Sequence, residues 1–79
     1  MQIHFYGRLA DSLGEAVELD LAAPCTIGEL RRRLAAELPQ AGAALSGRVR
    51  ACVGDRIVGD CHEVGPADRV EFLAPVSGG

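Results

Sequence analysis

The stretch Thr26-Ile27-Gly28-Glu29 marks a helix start more sharply than any other signal in these 79 residues. Thr followed three residues later by Glu is a capping box, in which each side chain satisfies a free backbone N–H of the first turn. Ile27, Leu30, Leu34 and Leu38 then recur on one helical stripe. Pro39 closes the run, because the residue before proline is driven out of helical backbone angles. The spacing predicts one principal helix near residues 27–38. Gly28 in the first turn lowers its propensity. Arg31-Arg32-Arg33 is basic, but Glu29–Arg33 and Arg33–Glu37 are i,i+4 pairs, so the triplet reads as a solvated face.

The flanking segments alternate with the period of strands. "QIHFY" (2–6) puts Ile3 and Phe5 on one face, His4 and Tyr6 on the other. "GRLADSLGE" carries Gly7, Asp11, Ser12 and Gly14 and reads as a turn or short helical loop. "AVELDL" (16–21) groups Val17, Leu19 and Leu21, and pairs with the first strand as a hairpin. Cys25 falls in the loop before the helix. "AGAALSG" (41–47) reads as a loop or short irregular helix. "RVRACV" (48–53), a "GD" turn at 54–55 and "RIV" (56–58) form a second hairpin. "GPAD" (65–68) turns into the last strand, "RVEFLA" (69–74), with Val70 and Phe72 inward.

A single helix between strand pairs must cover one face of a mixed sheet, giving a two-layer α+β domain. The first and last strands are strong enough to be central neighbours, parallel, with the helix in the crossover between them. That arrangement is the β-grasp, or ubiquitin-like, roll.

Composition narrows the function. A chain this short forms one domain, read here as residues 1–75 with a flexible Gly-Gly tail at 76–79. The 48% apolar share suits a folded core and the absence of Trp leaves that core to aliphatic residues. A net charge of −3 disfavours nucleic-acid binding. There is no apolar run of about 18 residues to cross a membrane and no signal peptide. Three cysteines without a CxxC pair suit the reducing cytoplasm. Cys25, Cys52, Cys61, His4 and His62 fall at no metal-site spacing, so no metal is expected. Cys25 and Cys52 lack a neighbouring base and read as ordinary small residues. Cys61-His62 suggests a nucleophile and base, but adjacent side chains in extended structure face opposite ways.

The ending "LAPVSGG" is the remaining candidate. A C-terminal carboxylate is ionised in the cell and becomes reactive only when converted to a better leaving group, such as an acyl-adenylate. Gly78 and Gly79, lacking Cβ atoms, can thread a narrow activating site. Pro75 would stiffen the exit from the sheet.

"EFLAPVSGG" at the end of a β-grasp pattern resembles the small subunit of molybdopterin synthase, the MoaD family. "IHFYGRLADSLG" resembles that family's opening strand and short helix, and "GPADRVEF" its acidic turn before the last strand. The likeness spans essentially the whole chain. It differs at Gly54, where the family usually has Asn nearby, and at Ala74-Pro75, where it has two prolines. The resemblance implies a sulfur carrier. An E1-like adenylyltransferase would use ATP to adenylate Gly79, and sulfur from a sulfurtransferase or cysteine desulfurase would replace AMP as a thiocarboxylate. That sulfur would pass to cyclic pyranopterin monophosphate in the large subunit, which would hold the catalytic residues. This chain would bind no cofactor itself. Tyr6, Ile57 and Leu73, with Pro75 and Val76 of the tail, would contact partners. Carriers for thiamine, cysteine or secondary-metabolite assembly, a protein modifier joined through Gly79, and a noncovalent adaptor are the other readings.

Overall fold

Alternating sequence becomes paired strand as expected. The computed structural model describes residues 1–41, 45 and 49–74. In chain order these form β1 (Gln2–Tyr6), α1 (Arg8–Leu13), β2 (Ala16–Glu18), β3 (Cys25–Thr26), α2 (Ile27–Glu37), β4 (Arg50–Val53), β5 (Arg56–Val58), β6 (Glu63–Val64) and β7 (Arg69–Leu73). The main sheet runs β2-β1-β7-β4-β5, with β1 and β7 parallel and the other neighbours antiparallel. First and last strands are therefore neighbours, and α2 lies in the crossover. The fold is the α+β β-grasp.

The inward parity of β1 and β7 builds the core. Ile3, Phe5, Val70 and Phe72 are buried together with Ile27, Leu30 and Leu34 of α2. The Phe5 and Phe72 rings stack with centroids 6.1 Å apart. Leu38, the fourth residue of the stripe, is the helix C-cap and only half-buried. Leu34→Ala should cost about 3 kcal/mol as a core truncation, read from a denaturant midpoint; a cost near zero would mean the stripe faces solvent.

The capping box is complete. Thr26 Oγ1 accepts from the Glu29 N–H at 3.1 Å, and the Thr26 N–H donates to Glu29 Oε1 at 2.8 Å. Thr26→Ala should therefore cost about 1 kcal/mol. The Thr26 N–H, then its hydroxyl, hold the Glu29 carboxyl below its ordinary pKa. A carboxyl lowered in the folded state stabilises above its unfolded pKa and loses that contribution as pH falls through the folded one. The stability gap between wild type and Glu29→Gln should accordingly be present at neutral pH and close in acid. A gap that widens in acid would contradict the cap.

Four local readings are corrected. Glu29 turns to Thr26, so the expected Glu29–Arg33 pair is absent among the described residues, whereas Arg33–Glu37 forms at 3.7 Å. Arg31 is not solvated: its side chain is 14% exposed, and it binds Asp60 Oδ1 at 3.0 Å and the backbone oxygens of Leu45 and Val49. Cys25 is strand rather than loop, since β3 pairs with β6 in a small second sheet. The 59–62 turn then caps α2, with the Gly28 N–H donating to the Asp60 oxygen and the Ile27 N–H to the His62 oxygen, both at 3.0 Å. An added Cβ at Gly28 would sit against Asp60, 3.4 Å from its Cβ. Finally, β2 ends at Glu18, short of the expected residue 21, although Leu19 remains buried. Of the 41–47 segment, only Ala41 and Leu45 lie within the described residues; both are buried.

The second hairpin has a two-residue loop, Gly54-Asp55, between the paired Val53 and Arg56. Both loop residues have positive φ, 57° and 66°. That is the type I′ geometry whose twist matches the strands. Gly and Asp are among the few residues that adopt it at low cost, so the chain manages without Asn.

Candidate functional site

Strand parity that buries Ile3, Phe5, Val70 and Phe72 sends the intervening residues to the other sheet face. On β1 these are Gln2, His4 and Tyr6; on β7, Arg69, Glu71 and Leu73. None of them is buried. Arg50 and Cys52 of β4 and Ile57 of β5 share this face through their register partners.

Tyr6 and Leu73 are direct partners across the parallel β1–β7 pair, and Leu73 also faces Arg50 on β4. Ile57 lies opposite Cys52, which in turn faces Glu71. The expected apolar residues thus share one face, but Ile57 is separated from the other two by β4 and sits one row along. Tyr6 is 41% exposed and Ile57 65%, while Leu73 is half-buried. Pro75, Val76, Gly78 and Gly79 lie outside the described residues. Leu73 ends β7, one residue before that segment.

Between the apolar residues runs a polar network that pattern reading missed. The Tyr6 hydroxyl donates to Glu71 Oε2 at 3.0 Å and accepts from the Arg69 guanidinium at 3.2 Å. Arg69 and Glu71 pair at 3.3 Å. Two residues apart on β7, they point the same way, and the Tyr6 ring reaches across from β1 to join them. Placing β1 beside β7 in this register was the signal that would have found it. The network fixes the orientation of an aromatic ring on an open sheet face and neutralises the charges beside it.

The thiols do not form a reaction centre. Burial, and then the nearby Glu29 carboxylate, push the Cys25 thiol above its ordinary pKa, with Arg33 opposing; the thiolate is disfavoured there. Cys52 is half-buried on the open face and Cys61 is exposed in a turn. Among the described residues no three His, Cys, Asp or Glu side chains converge as a metal site would require. No helix among them is long and apolar enough to cross a membrane.

A β-grasp with an open, partly apolar sheet face and a Pro-Val-Ser-Gly-Gly ending can be compared with known proteins. The model of the ThiS family matches residues 3–79. This chain belongs to the ThiS family. The ThiS-family assignment and the topology together make it a ThiS/MoaD-like, ubiquitin-like sulfur carrier fold. No curated protein sequence matches it. Among solved structures, the crystal structure of SAMP1 from Haloferax volcanii superimposes with a TM-score of 0.84. It is 17% identical, and the alignment covers 99% of this chain and 97% of that one. At that identity the likeness establishes the shared fold. Members of the ThiS/MoaD type work with partner enzymes.

Proposed function

We propose that this ThiS-family chain is the small, sulfur-carrying subunit of a molybdopterin synthase. The observation that carries the proposal is the family match running through Gly79, joined to the resemblance of "EFLAPVSGG" to the MoaD ending. In this reading an E1-like enzyme transfers AMP from ATP to the Gly79 carboxylate. Persulfide sulfur on a sulfurtransferase or cysteine desulfurase attacks the acyl-adenylate and expels AMP, giving an acyl disulfide. A second thiol then reduces it, releasing the Gly79 thiocarboxylate and forming a disulfide on the donor side. The large subunit then directs that sulfur onto cyclic pyranopterin monophosphate. Acid–base groups are supplied by the partners; this chain supplies the reacting atom, a docking face and a tail that threads.

The open sheet face supports the docking half of the proposal. Tyr6, Leu73 and Ile57 provide apolar area that gains by leaving water in a complex, and Pro75 and Val76 would extend it along the tail. Leu73→Glu should weaken partner binding at least about tenfold, since a carboxylate desolvated in the interface costs more than 1.4 kcal/mol. Its thermal unfolding should change little, because Leu73 is outside the buried core. An unfolded Leu73→Glu variant would instead make Leu73 a structural residue.

The decisive experiment is intact mass after incubation with ATP, a sulfur donor and the activating enzyme of the same cell. Replacement of one oxygen by sulfur at the C-terminus is the expected result. Sulfur transfer onward to the pterin with the large subunit then separates this pathway from thiamine or cysteine carriers. A second reading, a ubiquitin-like modifier using the same carboxylate, is compatible with the fold shared with SAMP1. It predicts isopeptide products on target lysines in place of a sulfurated pterin. The chain has no lysine of its own, so such conjugates would not grow into lysine-linked chains of its 79 residues.

A further inference from the structure

The far edge of the sheet, away from Ile57, carries a second surface that sulfur carriage does not use. Among the described residues β2 is an edge strand, with β1 its only neighbour in the sheet. The Phe5 N–H donates to the Glu15 oxygen and the Leu19 N–H to the Met1 oxygen, each at 2.9 Å. In an antiparallel pair bonding alternates, so residues 15, 17 and 19 turn their peptide groups toward β1. Ala16 and Glu18 turn theirs outward, an unpaired template for another strand.

Beside this edge lies a groove of about 300 Å³ between β2 and the C-terminal half of α2. Buried Leu19 and Leu34, half-buried Val17 and Leu38, and exposed Glu18 and Glu37 line it, with Glu18 at the strand edge and Glu37 on the helix. A strand added along β2 would point every second side chain into this groove and the alternate ones to the opposite face, beside Glu18.

Charge decides what kind of strand fits. Glu15, Glu18 and Asp20 lie on or next to β2, and Glu37 stands at the groove. Against these four carboxylates stand two cations, the Met1 ammonium at 3.0 Å from Glu18 and Arg33 at 3.7 Å from Glu37. Both pairs are exposed on the acid's side and add little rigidity. A second copy pairing edge to edge would bring like charges together, which is unfavourable across strands. We propose that the β2 edge and its groove bind an extended segment of a basic polypeptide partner, with alternating apolar and basic residues, as a sixth strand. Main-chain bonds to Ala16 and Glu18 would supply affinity, and the groove and its acidic residues selectivity. The site is independent of the carrier reading and stands or falls separately.

The test uses the whole chain, isotopically labelled, with the synthetic peptide Val-Arg-Val-Arg-Val. A scrambled peptide, Arg-Arg-Val-Val-Val, keeps its charge and composition and breaks its period. Amide shifts should move at Ala16, Val17, Glu18, Leu34 and Leu38 with the alternating peptide, and fade with added salt. Ala16→Pro removes one outward N–H that the fold does not use, a change edge strands tolerate. It should weaken the peptide about tenfold, the loss expected for one main-chain bond at an interface. Leu38→Ser, at a half-buried groove residue, should do likewise if Ala16→Pro proves unstable. Leu73→Glu, on the other face, should leave peptide binding unchanged. Equal response to both peptides, shifts confined to the Tyr6–Leu73 face, or no response to either would overturn the proposal.

Discussion

Replacing Arg31 with alanine should destabilise the domain by about 4 kcal/mol, with little help from any surface repair. The side chain leaves α2 among apolar neighbours and is nonetheless satisfied. Its Nε donates to Asp60 at 3.0 Å, and its terminal nitrogens reach the carbonyl oxygens of Leu45 and Val49. Its guanidinium carbon lies 5.3 Å from the Phe72 ring centroid. The Asp60 pair contributes least, because that carboxylate is 64% exposed. Both carbonyl contacts are partly buried, and each carbonyl stripped of a charged donor costs about 1–3 kcal/mol. Losing the contact over the Phe72 face adds about 1 kcal/mol. Arg31→Lys should recover only part of this, since a single ammonium cannot serve diverging acceptors on three segments. Arg32→Ala, one residue along and exposed, is the control and should change stability by less than about 0.5 kcal/mol. If Arg31→Ala unfolds at the wild-type denaturant midpoint, the staple is not stabilising.

Arg31 also shows where pattern reading stops. Periodicity placed α2, the hairpins and the inward residues of β1 and β7, because those depend on spacing and on burial of one face. The same logic sent all three arginines to solvent, since helical charge pairing is local. Arg31 is decided by residues 14, 18 and 29 positions away along the chain, which only the tertiary fold brings near. The β3–β6 pair was hidden for a related reason: each strand has two residues, too few to show a period. On the open face, parity was enough to place Tyr6 and Leu73, and the family pattern added Ile57. It could not show that Tyr6 is pinned by Arg69 and Glu71, or that β4 intervenes before Ile57, because both follow from register. The roles given to Gly78 and Gly79 rest on their chemistry and on family resemblance alone.

Removing Gly79 should abolish sulfur loading while the fold remains intact. We expect this because the proposed reaction needs one particular carboxylate, adenylated and then thiolated, at the end of two residues without side chains. Shortening the chain moves that carboxylate by one residue within the activating enzyme's narrow site, and appending a residue buries the same carbon in a peptide bond. Gly78→Val should act similarly, since a β-branched side chain widens the segment and restricts its backbone. None of these changes alters a buried residue among the described ones, which run from Ile3 to Phe72. Circular dichroism and the thermal midpoint should accordingly match wild type, and docking through Tyr6, Leu73 and Ile57 should persist. The readout is intact mass with ATP, sulfur donor and activating enzyme: the sulfur-for-oxygen gain appears in wild type and in none of the three variants. Leu73→Glu provides the converse, an unaltered tail on a weakened docking face, and should load slowly yet reach the same final mass. If the chain lacking Gly79 still acquires sulfur, or still supports molybdenum-enzyme activity in cells, the carboxylate is not the working group. The β-grasp would then act as a noncovalent adaptor through its open face.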